Sequence, residues 1–318
     1  PAGAAAEEVV GDGTLPIHQA CGYEGRLGTL KFLYELYPDG IHKRNYRGFL
    51  PIHGTAYSTR KNAGEHIKFL LTKDPEGASK VVSGNGEHER RLPLHLACVY
   101  TDSFDAVKLL FDAYPEGISY EAGRGNLPID IARRVPSTAS CDTNRSQSNT
   151  KVIAFLQTQM NYARQAKDVA AMTNPDRDGR LPLHNALSSG ACLGATKLLV
   201  AGNPDAVWVA NHGGMLPLHY ACESASADVV EFLVELDNQT LNACCAKGDT
   251  SLHHACKLGN CEVVQYLIDK QASSVSERNV DDKLPIHLLC DAANERWVSQ
   301  DELAYTHGNY LASPPCKS

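Results

Sequence analysis

The sequence predicts an all-α repeat solenoid of about eight helix–turn–helix units joined by extended hairpin loops, and three observations carry that prediction. The first is a tetrapeptide, Leu-Pro-Ile/Leu-His, at Leu15–His18, Leu50–His53, Leu92–His95, Leu181–His184, Leu216–His219 and Leu284–His287. The second is its spacing. Degenerate copies at Leu127–Asp130 and Thr250–His253 fill the gaps, so that the second positions lie 35, 42, 35, 54, 35, 34 and 34 residues apart. A period of this length marks supersecondary modules that bury their apolar faces only against their neighbours. The third is a common internal pattern of Pro, short apolar face, break, amphipathic stretch and turn.

Each element of the unit has a physical reason. Pro suits the first turn of a helix, where its missing N–H would be unpaired anyway. Small residues follow on one face, as at Ala20-Cys21, Ala97-Cys98 and Ala221-Cys222. A break such as Leu258-Gly259-Asn260 ends this first helix. The second helix shows apolar residues at i, i+3 and i+4, as in Val229-Val230-x-Phe232-Leu233 and Val263-Val264-x-Tyr266-Leu267. It ends at Tyr37-Pro38, Asp74-Pro75, Tyr114-Pro115 or Asn203-Pro204, where the residue before Pro is driven out of helical geometry and the chain is expected to leave extended. Turns rich in Gly, Asp and Asn then lead onward, at Asn45–Gly48, Asp176–Gly179, Asn211–Gly214 and Lys247–Asp249.

Over residues 11–296 this pattern resembles the ankyrin repeat. The Leu-Pro form with its Tyr-Pro-Glu-Gly exit looks like a variant associated with algal ankyrin-repeat proteins. The resemblance implies a protein-binding scaffold. It also implies that a Thr before the Pro caps the helix and helps to hold the His; here only Thr250 keeps that hydroxyl, and Leu replaces it in the other copies. A weaker cap is therefore expected, with each His bridging backbone groups of neighbouring hairpins.

Irregularities individualise the copies. The fourth unit is 54 residues long and carries Asp130 in place of His. Its polar insertion, 136–150, is expected to be a mobile loop, followed by a lengthened helix with Ile153, Leu156, Met160, Ala163 and Ala170 on its stripe, and a bend is expected near 136–174. Residues 1–10 are read as a segment beside the first repeat, Glu295–Tyr305 as a capping helix, and 297–318 as the C-terminal cap and tail.

Composition removes several functions. With 30 Lys+Arg against 37 Asp+Glu and no basic block, nothing points to nucleic acid, which needs clustered cations for its phosphates. No apolar run is long enough for a bilayer. The 11 cysteines suit free thiols in a reducing, cytoplasmic compartment; Ala4–Glu8 has neither the basic nor the apolar region of a signal peptide, and what precedes Pro1 lies outside the sequence. Cys21, Cys98, Cys222, Cys256 and Cys290 share one repeat phase and are assigned to packing. No GxSxG, GxGxxG or GxxxxGK[ST] motif is present, so no enzyme is expected. The densest set of metal-ligand types is Cys244, Cys245, His253, His254 and Cys256, but His253 and Cys256 hold repeat positions and no CxxC pair lies nearby. No metal or cofactor is expected.

What remains is the surface. Expected partner contacts at hairpin tips are Tyr46, Arg47, His88, Arg90, Arg177, His212, Lys247 and Asp281. On the outward side of first helices they are Tyr57, Tyr100, Asn185, Tyr220, Glu223, His254 and Lys257. Tyr and Arg combine large contact area with a polar end, the usual profile of interface anchors. The expected function is a non-catalytic scaffold for a protein partner. The alternatives are a subunit built permanently into a larger assembly, or the repeat region of a longer enzyme.

Overall fold

The computed structural model describes residues 13–22, 25–59, 62–83, 88–134, 143–224 and 226–291. The segment 1–10 and the expected cap and tail beyond 291 lie outside them. The described residues form helices and turns without strands, with isolated β-bridges such as Ala122–Asn126 and Cys244–Thr250. The chain divides into two compact units, one of residues 1–169 with 197–202, the other of 170–196 with 203–318.

In the first unit the first helices are Pro16–Cys21, Pro51–Ala56, Pro93–Tyr100 and Pro128–Arg134, each packed on the next. The second helices Leu27–Leu36, Ala63–Lys73, Phe104–Ala113 and Thr143–Lys167 form a parallel row behind them. In the second unit Pro182–Ser188, Pro217–Ser224 and Ser251–Leu258 repeat the first row, backed by Ala227–Leu236 and Cys261–Lys270. A last first helix covers 285–291. Between the rows lie Leu30, Ile67, Leu110, Leu156, Leu233 and Leu267, all buried. Full burial of such a side chain contributes about 1.5–3 kcal/mol.

The anchor histidine joins these parts. Its Nδ1 accepts the backbone N–H of the residue three before it, at 3.2 Å for Leu15, 3.1 Å for Leu50, 3.0 Å for Leu181 and 2.9 Å for Leu216. Its Nε2–H donates to carbonyls of the next hairpin: His18 to Lys43 and Phe49, His53 to Lys80, His95 to Tyr120 and Asn126, His219 to Ala243, His253 to Lys283. At His184 no hydrogen bond forms on Nε2. The expected weakening without Thr is not seen. His253 receives the Thr250 N–H at 3.2 Å and the hydroxyl at 2.9 Å, yet the Leu copies hold the same N–H bond at equal or shorter length. Leu instead buries its side chain, with 0 % exposure at Leu92 and 2 % at Leu50. Asp130 keeps half of the device: its Oδ2 accepts the Leu127 N–H at 3.3 Å, but a carboxylate has no proton to give a hairpin carbonyl.

The hairpins share one turn. In Asn45–Phe49, Asp176–Arg180, Asn211–Met215 and Asn279–Lys283, the leading side chain's Oδ1 accepts two backbone N–H groups, two and four residues on, at 2.9–3.1 Å. The fourth residue has positive φ and is Gly48, Gly179, Gly214, Gly248 or Asp282. Adjacent hairpins are joined backbone to backbone, Ala246 N–H to Gly213 O at 2.9 Å and Val280 N–H to Lys247 O at 3.0 Å. A Cβ on Gly214 would stand 2.9 Å from the Ala246 nitrogen.

Three expectations need correction. The residue before each of these Pro lies outside helical geometry, with Tyr114 at φ −140° and ψ 81°, but the chain then winds into a 3-10 turn, as at Pro38–His42 and Pro115–Ser119, and does not leave extended. The insertion is helical from Thr143, because a face of that helix packs on its neighbours despite its polar sequence; 135–142 lie outside the described residues. The stripe of the long helix is Val152, Leu156, Gln159 and Ala163, with Ile153 and Met160 half-buried, and the helix stops at Lys167 before a separate turn, Val169–Thr173. Among the phase cysteines Cys21, Cys98, Cys222 and Cys256 are buried and Cys290 is exposed. Burial pushes the Cys98 thiol up to about 12, so it stays protonated and inert.

Two outcomes follow from these contacts. Gly214→Ala should cost roughly 1–3 kcal/mol in urea unfolding, whereas Gly213→Ala, at negative φ, should cost less. Desolvation lowers His53 to about 3 and His95 and His219 to about 4, from an ordinary 6.5. A lowered folded value means that the unfolded chain takes up protons first. The stability from these residues is therefore complete above pH 6.5 and declines as pH falls from there toward 4. Urea unfolding between pH 7 and 5 should register a loss that steepens toward about 1.4 kcal/mol per pH unit for each histidine below pH 6, and His95→Gln should flatten that slope.

Candidate functional site

The imidazoles of His18, His53, His95, His219 and His253 are excluded as a catalytic set by their bonding, since both ring nitrogens serve backbone groups. What the folded repeats offer is a row of hairpin tips beside the ends of the first helices, and in the first unit this row carries an aromatic cluster. Tyr57 follows the helix Pro51–Ala56 and Tyr100 ends the helix Pro93–Tyr100, so stacking the repeats brings their rings to a centroid distance of 4.1 Å. His88, from the next hairpin, closes over them at 5.3 Å from Tyr57 and 5.8 Å from Tyr100. All three are half-buried. Phe49 completes the floor, 5.9 Å from Tyr57 and 5.7 Å from His88.

Basic groups border this cluster. Arg91 donates to His88 Nδ1 at 3.1 Å. Arg44 is committed to the carbonyls of Gly48 and Val81 at 2.7 and 2.8 Å and so holds two hairpins together. Arg47 folds over Tyr46, its guanidinium 5.2 Å from the ring centre and its Nε donating to the phenol oxygen at 2.7 Å. Arg90 is exposed and holds φ +57°, the left-handed region where other hairpins place glycine or, at residue 282, aspartate.

In the second unit Arg177, His212, Lys247 and Asp281 are exposed at tips, and Asn185 and Lys257 are exposed on first helices. Asn185 donates to Asp176 Oδ2 at 3.1 Å, and this bond together with the Arg180 N–H keeps the Asp176 carboxyl below its ordinary value. Glu223 is half-buried and accepts from His254 Nδ1 at 2.8 Å, which lowers its own value.

Tyr220 and His254 correct the sequence reading. Both were expected to face outward, and both are 5 % exposed. The hairpin covers Tyr220, whose oxygen accepts from Asn211 Nδ2 at 2.8 Å while the Arg180 guanidinium lies 5.3 Å from its ring. His254 is held between Glu223 and the ring of His219, 5.0 Å away.

The sequence reading missed Phe49 and Arg180. Each immediately precedes an anchor Leu, and the hairpin brings it back over the preceding helix. Comparing that one position across the copies (Phe49, Arg91, Asn126, Arg180, Met215, Asp249, Lys283) would have shown Phe49 as its single aromatic.

A family model described as ankyrin repeats in three copies matches residues 149–243 and 183–279. No curated protein matches the chain. The anchor, hairpin and helix pair of the matched residues recur from residue 15 onward with the same hydrogen bonds.

The left-handed Arg90 gives this surface its own test. Arg90→Gly should raise stability by about 0.5–1 kcal/mol in urea unfolding, since relief of a conformation costing an L-residue 1–2 kcal/mol exceeds the entropy that glycine forfeits.

Proposed function

We propose, from the premise that the chain is an ankyrin-repeat protein, that it is a non-catalytic scaffold holding a protein partner along its hairpin tips and first-helix ends. Ankyrin repeats are in general protein–protein interaction modules, and their all-helical array is typically non-catalytic. Among the described residues no helix is long and apolar enough to cross a membrane.

The observation that carries the proposal is the half-buried cluster of Tyr57, His88 and Tyr100 beside the strained, exposed Arg90. Stability alone favours glycine at residue 90, so the arginine there is better explained by what it contacts. Aromatic rings with an exposed guanidinium suit a partner segment carrying both apolar and acidic side chains. Such residues dominate binding energy when a partner excludes water from them.

Crosslinking mass spectrometry in native extract identifies the partner, and binding is then measured with purified proteins. Tyr57→Ala with Tyr100→Ala, and separately Arg47→Glu with Arg90→Glu, should each weaken binding at least tenfold; the charge-reversed pair should retain the native melting temperature. Native affinity in both pairs would place the partner elsewhere. Aggregation of the isolated chain, with recovery only inside a complex, would favour a built-in subunit instead.

A further inference from the structure

A second cluster lies in the second unit and owes nothing to the repeat. Cys245 begins a hairpin, Asp249 ends it, and His254 sits in the first helix after it, Ser251–Leu258. One donor atom from each of the three lies within 4.8 Å of the others. Cys245 is 7 % exposed and His254 is 5 % exposed, so two of the three donors are nine-tenths buried.

The imidazole is the decisive group. Its Nδ1 donates to Glu223 Oε1 at 2.8 Å, which leaves Nε2 as a lone-pair nitrogen. That nitrogen is buried and has no hydrogen-bond partner. A buried, unsatisfied polar atom is costly, and such atoms in a folded protein call for an explanation. A carboxylate on the far side of a histidine ring is also the usual outer support of a metal-bound imidazole, fixing its tautomer and its direction.

Cys245 supplies an independent reason. The corresponding residue is Asn45, Asp176, Asn211 and Asn279 in four other hairpins, and each uses its Oδ1 to accept two backbone N–H groups. Cysteine has no such oxygen. The hairpin keeps its backbone bonds, Cys245 N–H to Asp249 O at 3.0 Å and Gly248 N–H to Cys245 O at 2.8 Å, but gives up the side-chain pair. A turn that forgoes these bonds and keeps a thiol within 4.8 Å of a carboxylate oxygen and an imidazole nitrogen has gained a ligand set.

We propose that Cys245, Asp249 and His254 bind one zinc ion, with Glu223 as the positioning residue for the imidazole. The thiolate, carboxylate and neutral imidazole are all zinc donors, and their two negative charges neutralise the dication. Tetrahedral bonds of about 2.0–2.3 Å place ligand atoms roughly 3.3–3.7 Å apart, so the donors draw in by at most about 1.5 Å. Binding forms Zn–S, Zn–O and Zn–N bonds, releases the thiol proton to solvent and leaves the fourth position to water. The four-residue set differs from the cysteine and histidine cluster that the sequence suggests: His253 is spent on backbone groups and Cys244 is exposed. Asp249 also accepts from Asn279 Nδ2 at 2.7 Å, which fixes its carboxylate from the next hairpin.

The test uses the whole chain, stripped with chelator, dialysed and titrated with Co(II) and then Zn(II). The expected result is one equivalent of cobalt with a thiolate-to-metal charge-transfer band, displaced by zinc, and a rise in melting temperature with zinc. Cys244→Ser should behave as the wild type, and Cys245→Ser should abolish the band. Glu223→Gln, a mild change that spares all three donors, should weaken affinity about 10–100-fold while keeping the band. Absence of stoichiometric binding in the micromolar range overturns the proposal. So does a band that survives Cys245→Ser, or a Glu223→Gln variant with native affinity. Circular dichroism of each variant separates lost metal from lost fold.

Discussion

The two-ended imidazole of the anchor histidine is the interaction on which the repeats depend. A helix start and the next hairpin are separated by about thirty residues of chain, and one neutral side chain spans them, accepting at Nδ1 and donating at Nε2. Only the Nε2–H tautomer meets both requirements, since protonation would turn Nδ1 into a second donor aimed at an N–H. This accounts for the company the histidine keeps. Pro sets the helix start whose N–H the ring receives, and the buried Leu or Thr before it fixes the height of the ring. Glycine at positive φ lets the following hairpin approach closely enough to be tied to the one after it.

How much of this was legible depended on whether a feature is repeated or singular. The anchors, the buried Ala-Cys pairs and the Gly-containing turns recur, so their spacing alone gave helix pairs and their order. Features created where one copy meets another were harder. Tyr220 and His254 sit at first-helix positions that read as outward, because a helix of about two turns defines its buried side weakly. What buries them appears only on folding: Tyr220 lies under Asn211 and Arg180 of the hairpins, and His254 against Glu223 and His219 of the preceding first helix. The opposite error occurred at Thr143–Thr150, where Ser, Thr, Asn and Gln read as a loop. The helix that starts there is buried farther along, at Val152, Leu156 and Ala163, which the composition of its first turns does not encode.

The exchange of Thr for Leu before the anchor Pro shows how a local rule can mislead. Losing the hydroxyl reads as losing an N-cap worth about 1 kcal/mol, although Thr250 itself turns its hydroxyl to the His253 ring and caps no backbone N–H. The histidine nevertheless retains its bond to the backbone N–H, so the helix start is still held by the same ring. Leu adds a fully buried side chain at the junction of helix, hairpin and neighbouring repeat, and burial of that size exceeds the missing cap. Counting caps in the sequence sees the loss and not the compensation.

Because the copies share one backbone plan, function is best sought where a copy departs from it at a cost to its own stability. Besides the left-handed Asp282, three departures meet that description. Asp130 caps its helix but cannot donate to a hairpin, so the fourth repeat gives up the bond that ties the others forward. Arg90 holds a left-handed backbone that glycine would adopt without strain, and it does so at the edge of an aromatic cluster with its side chain in solvent. Cys245 surrenders two side-chain hydrogen bonds of its turn beside an imidazole nitrogen that nothing satisfies. The first lies in the repeat that carries the insertion 136–150, at the anchor position itself. The other two lie on the hairpins, where the backbone plan is otherwise most constant and a substitution has least to gain from packing. A costly residue in such a place has to be compensated by something the isolated repeat does not contain, and that requirement is stronger evidence of a ligand or partner than exposure by itself.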